Sequence, residues 1–253
     1  MRGPELPRSF LDRPIAHRGY HDAGAGRPEN SRAAIRAAVA GGYGIEIDLQ
    51  LSADGVAMVF HDYHLGRLTE GEGAIRMRDA AELSGLTLRH GSEGIPTLEE
   101  VLEIVNGEAP LLVEIKDQDG RLGPMVGLLE QAAATVIEGY RGPLAVMSFN
   151  PNSVAAMADL LPQVPRGLTT CAFTAEDWPI LDDRTRETLA AIPDAHRTGA
   201  SFISHEWRDL GSPRVSELAG EGVDILCWTV RSPEEEAQAR RFAATVTFEG
   251  YAA

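Results

Sequence analysis

The feature that most constrains the fold of this chain is a repeated change in its hydrophobic period. Short runs of β-branched and apolar residues alternate with stretches of helical spacing. We predict strands at 14–18, 44–51, 56–61, 111–116, 144–149, 166–170, 201–204, 224–230 and 245–248. We predict helices at 31–40, with Asn30 as N-cap, and at 97–105, 125–138, 153–160, 184–191, 213–219 and 233–241. A strand followed by a helix, repeated about eight times, favours an α/β fold whose parallel strands close into a (β/α)8 barrel, the TIM barrel. A doubly wound open sheet is the alternative.

The length and the absence of linkers favour one domain. The chain has 253 residues, and a single α/β barrel typically needs ~250. No Ser/Gly linker or low-complexity block divides it, so we predict one domain over residues 1–253. Residues 66–94 are polar and dotted with glycine, and they interrupt the alternation after the strand that ends at His61. We interpret them as an insertion near a site, or alternatively as surface structure with no role.

Charge and composition limit the classes of partner. The chain carries 23 basic and 38 acidic residues, a net charge of −15 with histidine neutral. This balance argues against nucleic acid and anionic membrane surfaces as partners, although a local site can still be cationic. No apolar run is long enough for a membrane span and no leader-like segment precedes the first strand, so we expect no stable membrane insertion and a cytoplasmic protein. Cys171 and Cys227 indicate neither a disulfide framework nor a zinc site, and the oligomeric state has no signature in the sequence.

Acidic residues share one face of two predicted strands. In the run 44–51, Glu46 and Asp48 point to one side of the strand, and in the run 111–116 Glu114 and Lys116 do the same. Helices cover the outer face of a barrel, so these polar residues should point inward. Buried carboxylates that lie close together need compensation, which a divalent cation such as Mg²⁺ or Ca²⁺ provides through oxygen ligands. A buried salt-bridge network with Lys116 and Arg18 is the alternative interpretation.

Two histidines follow predicted strands. His17 and His61 each end an apolar run and each precede a charged residue. Active sites of barrels lie at the carboxyl ends of the strands, where a histidine pair can serve as general acid and general base. Arg18 and Lys116 are then the candidate ligands of an anion. A metal held by carboxylates, two histidines and two cations together indicate metal-assisted phosphoryl chemistry.

Several motifs resemble, in order and spacing, those of the glycerophosphodiester phosphodiesterase family. The resemblance is dense over residues 14–116, thinner to 230 and poor beyond. Its motifs are His17-Arg18-Gly19, Pro28-Glu29-Asn30-Ser31, Glu46-Ile47-Asp48, Asp54-Gly55, Val59-Phe60-His61-Asp62, the run 95–102, Glu114-Ile115-Lys116, Ser148-Phe149 and Trp228-Thr229-Val230.

The resemblance implies an enzyme on a TIM barrel that hydrolyses small-molecule glycerophosphodiesters to an alcohol and glycerol 3-phosphate with a divalent cation. It implies metal ligands at Glu46, Asp48 and Glu114, an acid–base pair at His17 and His61, and phosphate contacts at Arg18 and Lys116. Glu29 and Asn30 match a loop beside the metal, where Asn30 touches the metal or positions His17. Trp228 packs against the glycerol moiety or is simply a buried aromatic. The insertion 66–94 is expected to shape the substrate entrance, and His64, His205 and Trp207 are candidates for its mouth.

The chain departs from the family pattern near its end. Arg231 follows Trp228-Thr229-Val230 where the family commonly has Asn, and Thr247-Phe248-Glu249-Gly250-Tyr251 stands where a Thr-Asp-x-Pro signature is common. Glu249 is the candidate replacement for that Asp. These departures bear on two expectations from the resemblance, the recognition of the leaving group and the closure of the barrel. They do not affect the expected metal site.

Two other functions compete with this interpretation. A phosphodiesterase of the lysophospholipase D type needs an apolar approach to the site, and residues 66–94 offer only scattered Leu, Ile and Met. A barrel that binds phosphodiesters without turnover is the other alternative. It is disfavoured because all seven central polar residues are intact: His17, Arg18, Glu46, Asp48, His61, Glu114 and Lys116.

Overall fold

Eight parallel strands of this protein close into a barrel. The computed structural model describes residues 3–253, and within them it contains nine strands and eight α-helices. The sheet order is β1-β9-β8-β7-β6-β5-β4-β2-β3, and an additional parallel pairing of β1 with β2 closes it. The (β/α)8 barrel is therefore confirmed, and the open doubly wound sheet is excluded because the sheet has no free edge among the parallel strands.

The strands lie close to the predicted runs. Their bounds are β1 Ile15–Ala16, β2 Gly44–Leu51, β3 Ala57–Val59, β4 Leu111–Ile115, β5 Leu144–Ser148, β6 Arg166–Thr170, β7 Phe202–Glu206, β8 Asp224–Val230 and β9 Thr245–Phe248. The first strand is shorter than predicted, because after Ala16 the chain turns at Arg18, where φ is 54°, and Gly19, where φ is 78°.

The helices lie between the strands on the outside of the barrel. Their bounds are α1 Arg32–Gly41, α2 Ala80–Gly85, α3 Leu98–Val105, α4 Leu128–Ile137, α5 Pro151–Leu160, α6 Asp183–Ala190, α7 Pro213–Gly220 and α8 Pro233–Ala239. The predicted cap of α1 was wrong by one position, since Ser31 is the N-cap and accepts a hydrogen bond from the Ala34 N–H. The capping box of Thr97 and Glu100 is present at α3. None of the helices between residues 3 and 253 combines the length and hydrophobicity of a membrane span.

The strand that precedes His61 lies outside the barrel. β3 pairs antiparallel with β2, with Leu49 opposite Val59 and Leu51 opposite Ala57. The five residues between the two strands form a tight turn closed by the Ser52 N–H to Val56 carbonyl hydrogen bond of 3.0 Å. A parallel partner would need a crossover connection of roughly a dozen or more residues, so this short turn permits only a hairpin. The hairpin returns the chain along β2 and brings His61 back to the barrel.

The interior of the barrel is apolar at one end and polar at the other. Ile15, Leu112 and Phe202 form an inner cluster with Leu6 and Phe10 of the N-terminal segment. The next inward positions along the same strands are polar: His17 follows Ile15, and Glu114 follows Leu112. The outward residues of β2, Ile45, Ile47 and Leu49, are buried in the larger core beneath the helices. The amino ends of the strands therefore carry the packing, and the carboxyl ends carry the ionisable groups.

Residues 66–94 fold onto the β2–β3 hairpin as a small satellite. They contain a 3₁₀ turn, Ile75–Met77, and α2, and Ile75, Leu83 and Leu88 pack with Met58 and Leu65 in a separate apolar cluster. The insertion therefore has its own core instead of being an extended loop.

Candidate functional site

Three carboxylates converge at the carboxyl ends of β2 and β4. Glu46 and Asp48 point inward from β2, and Asp48 lies directly opposite Glu114 of β4 in the parallel register. One oxygen from each of the three lies within 4.8 Å of the others, and all three side chains are buried. The apolar outer faces of the strands pack against the helices and so fix the register of β2 and β4. This register places three negative charges in one small volume. We call Glu46, Asp48 and Glu114 the carboxylate centre.

Lys116 and Arg18 both contact this centre. Lys116 Nζ lies 2.8 Å from Asp48 Oδ1 and 2.5 Å from Glu114 Oε1. Arg18 Nε lies 3.4 Å from Asp48 Oδ2, and the Arg18 backbone N–H donates to Glu46 Oε2 at 2.9 Å. The contacts of the salt-bridge interpretation are therefore present.

The two cations do not balance the three carboxylates. Burial alone would raise the pKa of Asp48, but the opposing charges of Lys116 and Arg18 hold it well below its usual range. Burial raises the pKa of Glu46 well above its usual range, and the charges of Asp48 and Glu114 add to this shift. One negative charge in the centre is thus poorly compensated by the protein. Buried oxygen donors with an excess negative charge are the chemistry that a hard divalent cation prefers, so these residues fit such an ion.

His17 is held between Glu46 and a carboxylate of the last strand. Its Nδ1 lies 2.6 Å from Glu249 Oε2, and its Nε2 lies 4.0 Å from Glu46 Oε2. A carboxylate can only accept, so the proton of the imidazole resides on Nδ1 and Nε2 faces the carboxylate centre. Burial lowers the pKa of His17 to about 4, and the hydrogen bond to Glu249 opposes this shift.

Glu249 and Arg231, the two positions that depart from the family pattern, contact each other. Arg231 Nε donates to Glu249 Oε1 at 2.8 Å, and His21 Nε2 lies 3.5 Å from Glu249 Oε2. Burial alone would raise the pKa of Glu249, but the hydrogen bond from His17 and the proximity of His21 and Arg231 outweigh it and hold the pKa well below its usual range. β9 pairs with both of its neighbours, so these departures leave the barrel closed.

His61 reaches the site from the hairpin and is held by its own neighbour. His61 Nδ1 lies 2.7 Å from Asp62 Oδ1, and Gln50 Nε2 donates to the His61 carbonyl at 3.0 Å. Arg67 Nε donates to Asp62 Oδ2 at 2.5 Å, and its Nη1 donates to Glu29 Oε2 at 2.8 Å. Sequence analysis gave no role to Asp62 or Arg67, although Asp62 lies within a motif that carries the family resemblance.

Glu29 and Asn30 also contact the charged residues of the site. Glu29 Oε1 accepts a hydrogen bond of 2.7 Å from Arg18 Nη1. Asn30 Nδ2 donates to Asp48 Oδ2 at 2.8 Å, and its backbone N–H donates to the Arg18 carbonyl at 2.8 Å. Of the two roles predicted for Asn30, the described contacts are therefore with a residue of the carboxylate centre and not with the side chain of His17.

Two cavities meet at this site. A polar cavity of about 170 Å³ lies over the carboxylate centre and is lined by His17, Arg18, Glu46, Asp48 and Thr247, among others. An apolar cavity of about 620 Å³ lies beside it, with a wall formed by Leu122, Trp178, Ile180 and Leu181. Five residues line both: His61, Glu114, Lys116, Phe149 and Trp228.

The loops after β4 and β6 supply much of the lining of the apolar cavity, and none of the described residues 66–94 lines either cavity. The role of the insertion at the substrate entrance stays a prediction. Its apolar residues pack inward under the hairpin. His64 lines the apolar cavity as predicted, whereas His205 is buried, with Nδ1 2.8 Å from Thr170 Oγ1. Trp207 lines neither cavity.

Trp228 lies at the junction of the two cavities. Its Nε1 donates to the Ser204 carbonyl at 2.9 Å, and its ring centroid is 5.5 Å from that of Phe149. Phe149 in turn packs against Trp178, with centroids 5.0 Å apart. Trp228 therefore lines the cavities with its ring and is held by one hydrogen bond. The sequence analysis missed Trp178, because it follows no strand directly and belongs to no motif.

The two cysteines take no part in the site. Both are free and buried. Burial raises the pKa of Cys171 to about 11 and that of Cys227 to about 12, so neither is a nucleophile at neutral pH.

Comparison with known proteins agrees with this geometry. The sequence model described as the glycerophosphoryl diester phosphodiesterase family matches residues 17–247. A glycerophosphodiester phosphodiesterase of Caldanaerobacter subterraneus subsp. tengcongensis is 32% identical over 87% of this chain and 86% of its own length. Human glycerophosphodiester phosphodiesterase 1 is 27% identical over 88% of this chain and 72% of its own length. A solved structure of an Oleispira antarctica phosphodiesterase in complex with the product sn-glycerol 3-phosphate superposes with a TM-score of 0.75, at 25% identity, over 95% of this chain and 94% of that one.

Proposed function

Because the chain belongs to the glycerophosphoryl diester phosphodiesterase family of phosphoric diester hydrolases, we propose that it hydrolyses glycerophosphodiesters to an alcohol and glycerol 3-phosphate with the help of a divalent cation. The observation that carries this proposal is the convergence of the carboxylate centre, two histidines and two cations on one polar cavity. The retention of all seven of these groups also favours an enzyme over a barrel that only binds phosphodiesters.

Glu46, Asp48 and Glu114 are the residues that would hold the cation, Mg²⁺ or Ca²⁺. When bound there, a divalent ion neutralises negative charge on the phosphoryl group and lowers the cost of the charge that grows during the reaction. Asn30 holds Asp48 Oδ2 through its amide, and the Arg18 backbone N–H holds Glu46 Oε2. These contacts support the proposal because they orient the carboxylates before any ligand arrives.

Arg18 and Lys116 would bind the phosphate. Both line the polar cavity, and both are already positioned by carboxylates, Arg18 by Glu29 and Lys116 by Asp48 and Glu114. Arginine presents a planar fork of donors to phosphate oxygens, whereas lysine adds a point charge. Trp228 would pack against the bound substrate at the junction of the two cavities.

His17 and His61 would transfer the protons. With Nδ1 engaged by Glu249, His17 Nε2 accepts the proton of the glycerol 2-hydroxyl as that oxygen attacks phosphorus. The bond between phosphorus and the alcohol oxygen breaks, and His61, aligned by Asp62, gives a proton to the leaving alkoxide. Water then opens the cyclic phosphate, with the proton transfers reversed. Glu249 is a positioning residue in this scheme, since it acts through His17.

Product release from glycerophosphocholine and glycerophosphoethanolamine tests the proposal. We expect turnover in the presence of Mg²⁺ or Ca²⁺ and its loss in EDTA. Glu46→Gln should weaken both cation affinity, measured by calorimetry, and rate. Turnover that survives EDTA unchanged would contradict the cation assignment, and binding of the substrates without turnover would favour the non-catalytic alternative.

A further inference from the structure

The apolar cavity is too large and too apolar to be explained by a glycerol or a small polar alcohol. Its volume of about 620 Å³ is in the range of pockets that enclose whole drug-sized ligands, ~300–1,000 Å³. It opens directly onto the residues that would do the chemistry, because His61, Glu114 and Lys116 line both cavities. A ligand whose phosphate lies in the polar cavity can therefore extend into the apolar one.

The wall of this cavity is built from aliphatic and aromatic side chains of two loops. Leu122 of the loop after β4 packs with Phe173 and Leu181 of the loop after β6. The two loops also approach each other across the cavity, since a methyl group placed at Gly120 would lie 4.0 Å from Ile180 Cδ1. Ile180 is 70% exposed, so its side chain is accessible to a ligand in the cavity.

Leu122 of the wall and Phe173, which packs against it, hold a costly backbone conformation. Leu122 has φ 55° and Phe173 has φ 48°, in the left-handed region that costs non-glycine residues ~1–2 kcal/mol each. Strain of this kind persists where the surrounding structure enforces it, and it is concentrated at ligand sites. The wall is therefore a formed surface and not a loosely packed loop.

Each acidic side chain on the lining has a hydrogen-bond or ion-pair partner within the protein. Four of them line the cavity: Asp62, Glu114, Asp117 and Asp177. Asp117 accepts from Asn150 Nδ2 at 2.7 Å, and Asp177 accepts from the Thr174 hydroxyl at 2.7 Å. Asp62 forms an ion pair with Arg67, and Glu114 forms one with Lys116. Most of the remaining lining is hydrocarbon, from side chains such as Leu122, Ile180 and Leu181, and this favours an apolar occupant.

From these observations we propose that the apolar cavity binds a single hydrocarbon chain of the substrate, so that this enzyme hydrolyses single-chain, lysolipid-type phosphodiesters better than water-soluble glycerophosphodiesters. This inference rests on the proposed function of the same site. The apolar approach that the insertion does not supply is supplied instead by the loops after β4 and β6.

Chain-length dependence of hydrolysis tests the proposal. Choline release is measured from glycerophosphocholine and its 1-hexanoyl and 1-dodecanoyl derivatives, all below their micelle-forming concentrations. We expect kcat/KM to rise by at least ~10-fold from the hexanoyl to the dodecanoyl substrate, since each buried methylene group contributes to binding. A parallel series with the alkyl chain on the alcohol ester, glycerophosphohexanol and glycerophosphododecanol, identifies which ester carries the chain. No length dependence in either series would overturn the proposal.

A matched pair of variants localises the effect. Ile180→Asp should lower kcat/KM for the dodecanoyl substrate by at least ~10-fold more than for glycerophosphocholine, because it places a charge on the wall. Met77→Asp is the control, because it removes a similarly exposed apolar side chain of the insertion, 75% exposed. It should change kcat/KM for neither substrate. If both variants change the ratio of kcat/KM for the two substrates equally, the hydrocarbon chain does not bind in the apolar cavity.

Binding separates this proposal from the proposed function. If the wild-type enzyme hydrolyses none of these substrates, the proposed function fails. Calorimetric affinity for the acyl series then still reports on the cavity, and we expect it to increase with chain length. Competition by choline or tetramethylammonium, without dependence on chain length, would assign the cavity to a cationic head group instead.

Discussion

The polar cavity and the apolar cavity are neighbours at one end of the barrel, but they are built in different ways. The polar cavity takes its charged groups from strands or from residues one or two positions beyond them, such as Glu46, Asp48 and Glu114. The apolar cavity takes its wall from two loops, through residues such as Leu122 and Ile180. Strand register fixes the first group of side chains, whereas only the packing of loop against loop fixes the second. The comparison suggests that catalysis and substrate choice are separable in this molecule.

The largest expected effect concerns the polar cavity. His61→Ala should lower kcat by ~10²–10⁴-fold, since a general acid or base typically contributes that much. Its affinity for Mg²⁺ or Ca²⁺, measured by calorimetry, should be unchanged because His61 contacts Asp62 and not the carboxylate centre. A parallel loss of rate and cation affinity would refute the division of roles.

The second effect distinguishes a cation site from a salt-bridge network alone. A cation that binds only the folded protein adds ~2.7 kcal/mol to the free energy of unfolding at 100 times its Kd. We expect Mg²⁺ or Ca²⁺ to raise the melting temperature of the wild type accordingly, as followed by circular dichroism. Glu46→Gln serves as the control and should respond much less. If neither ion changes the melting temperature of the wild type, the result would favour the salt-bridge interpretation.

The third effect concerns the positioning of His17. Glu249→Gln should lower kcat by ~10–100-fold, as loss of a group that orients a functional histidine commonly does. KM and melting temperature should change little. Arg231→Gln is the control, because it releases Glu249 Oε1 but leaves the carboxylate on His17. If both variants lose the same activity, the role of Glu249 is in the ion pair with Arg231 and not in holding the imidazole.

The smallest effect concerns the wall of the apolar cavity. Ile180→Ser should change the free energy of unfolding by less than ~0.5 kcal/mol, because the side chain is 70% exposed. The adjacent residue provides the contrast: Leu181→Ala should cost ~2–5 kcal/mol, since Leu181 is buried. Urea denaturation measures both. A large loss of stability in Ile180→Ser would mean that this side chain serves the fold, which would weaken the case for a ligand.

Most of the polar site could be predicted from the sequence because each residue belongs to a local pattern. Alternation along two strands indicated that Glu46, Asp48 and Glu114 point inward, and apolar runs preceded His17 and His61. The hairpin was not recognised, although the predicted strands 44–51 and 56–61 leave only four residues between them, too few for a parallel crossover. His61 reaches the site even so, because the antiparallel strand returns along β2.

By itself, the sequence determined the alternation of strands and helices, the shared face of the carboxylates and the positions of the two histidines after apolar runs, because hydrophobic period and spacing along single strands encode these features. Only the tertiary structure decided what lies around them: the Glu249–His17 hydrogen bond spans 232 positions of the chain, and the apolar wall joins loops that follow strands β4 and β6. Contacts of this kind depend on which elements closure of the barrel makes neighbours, and no local pattern along the chain specifies them.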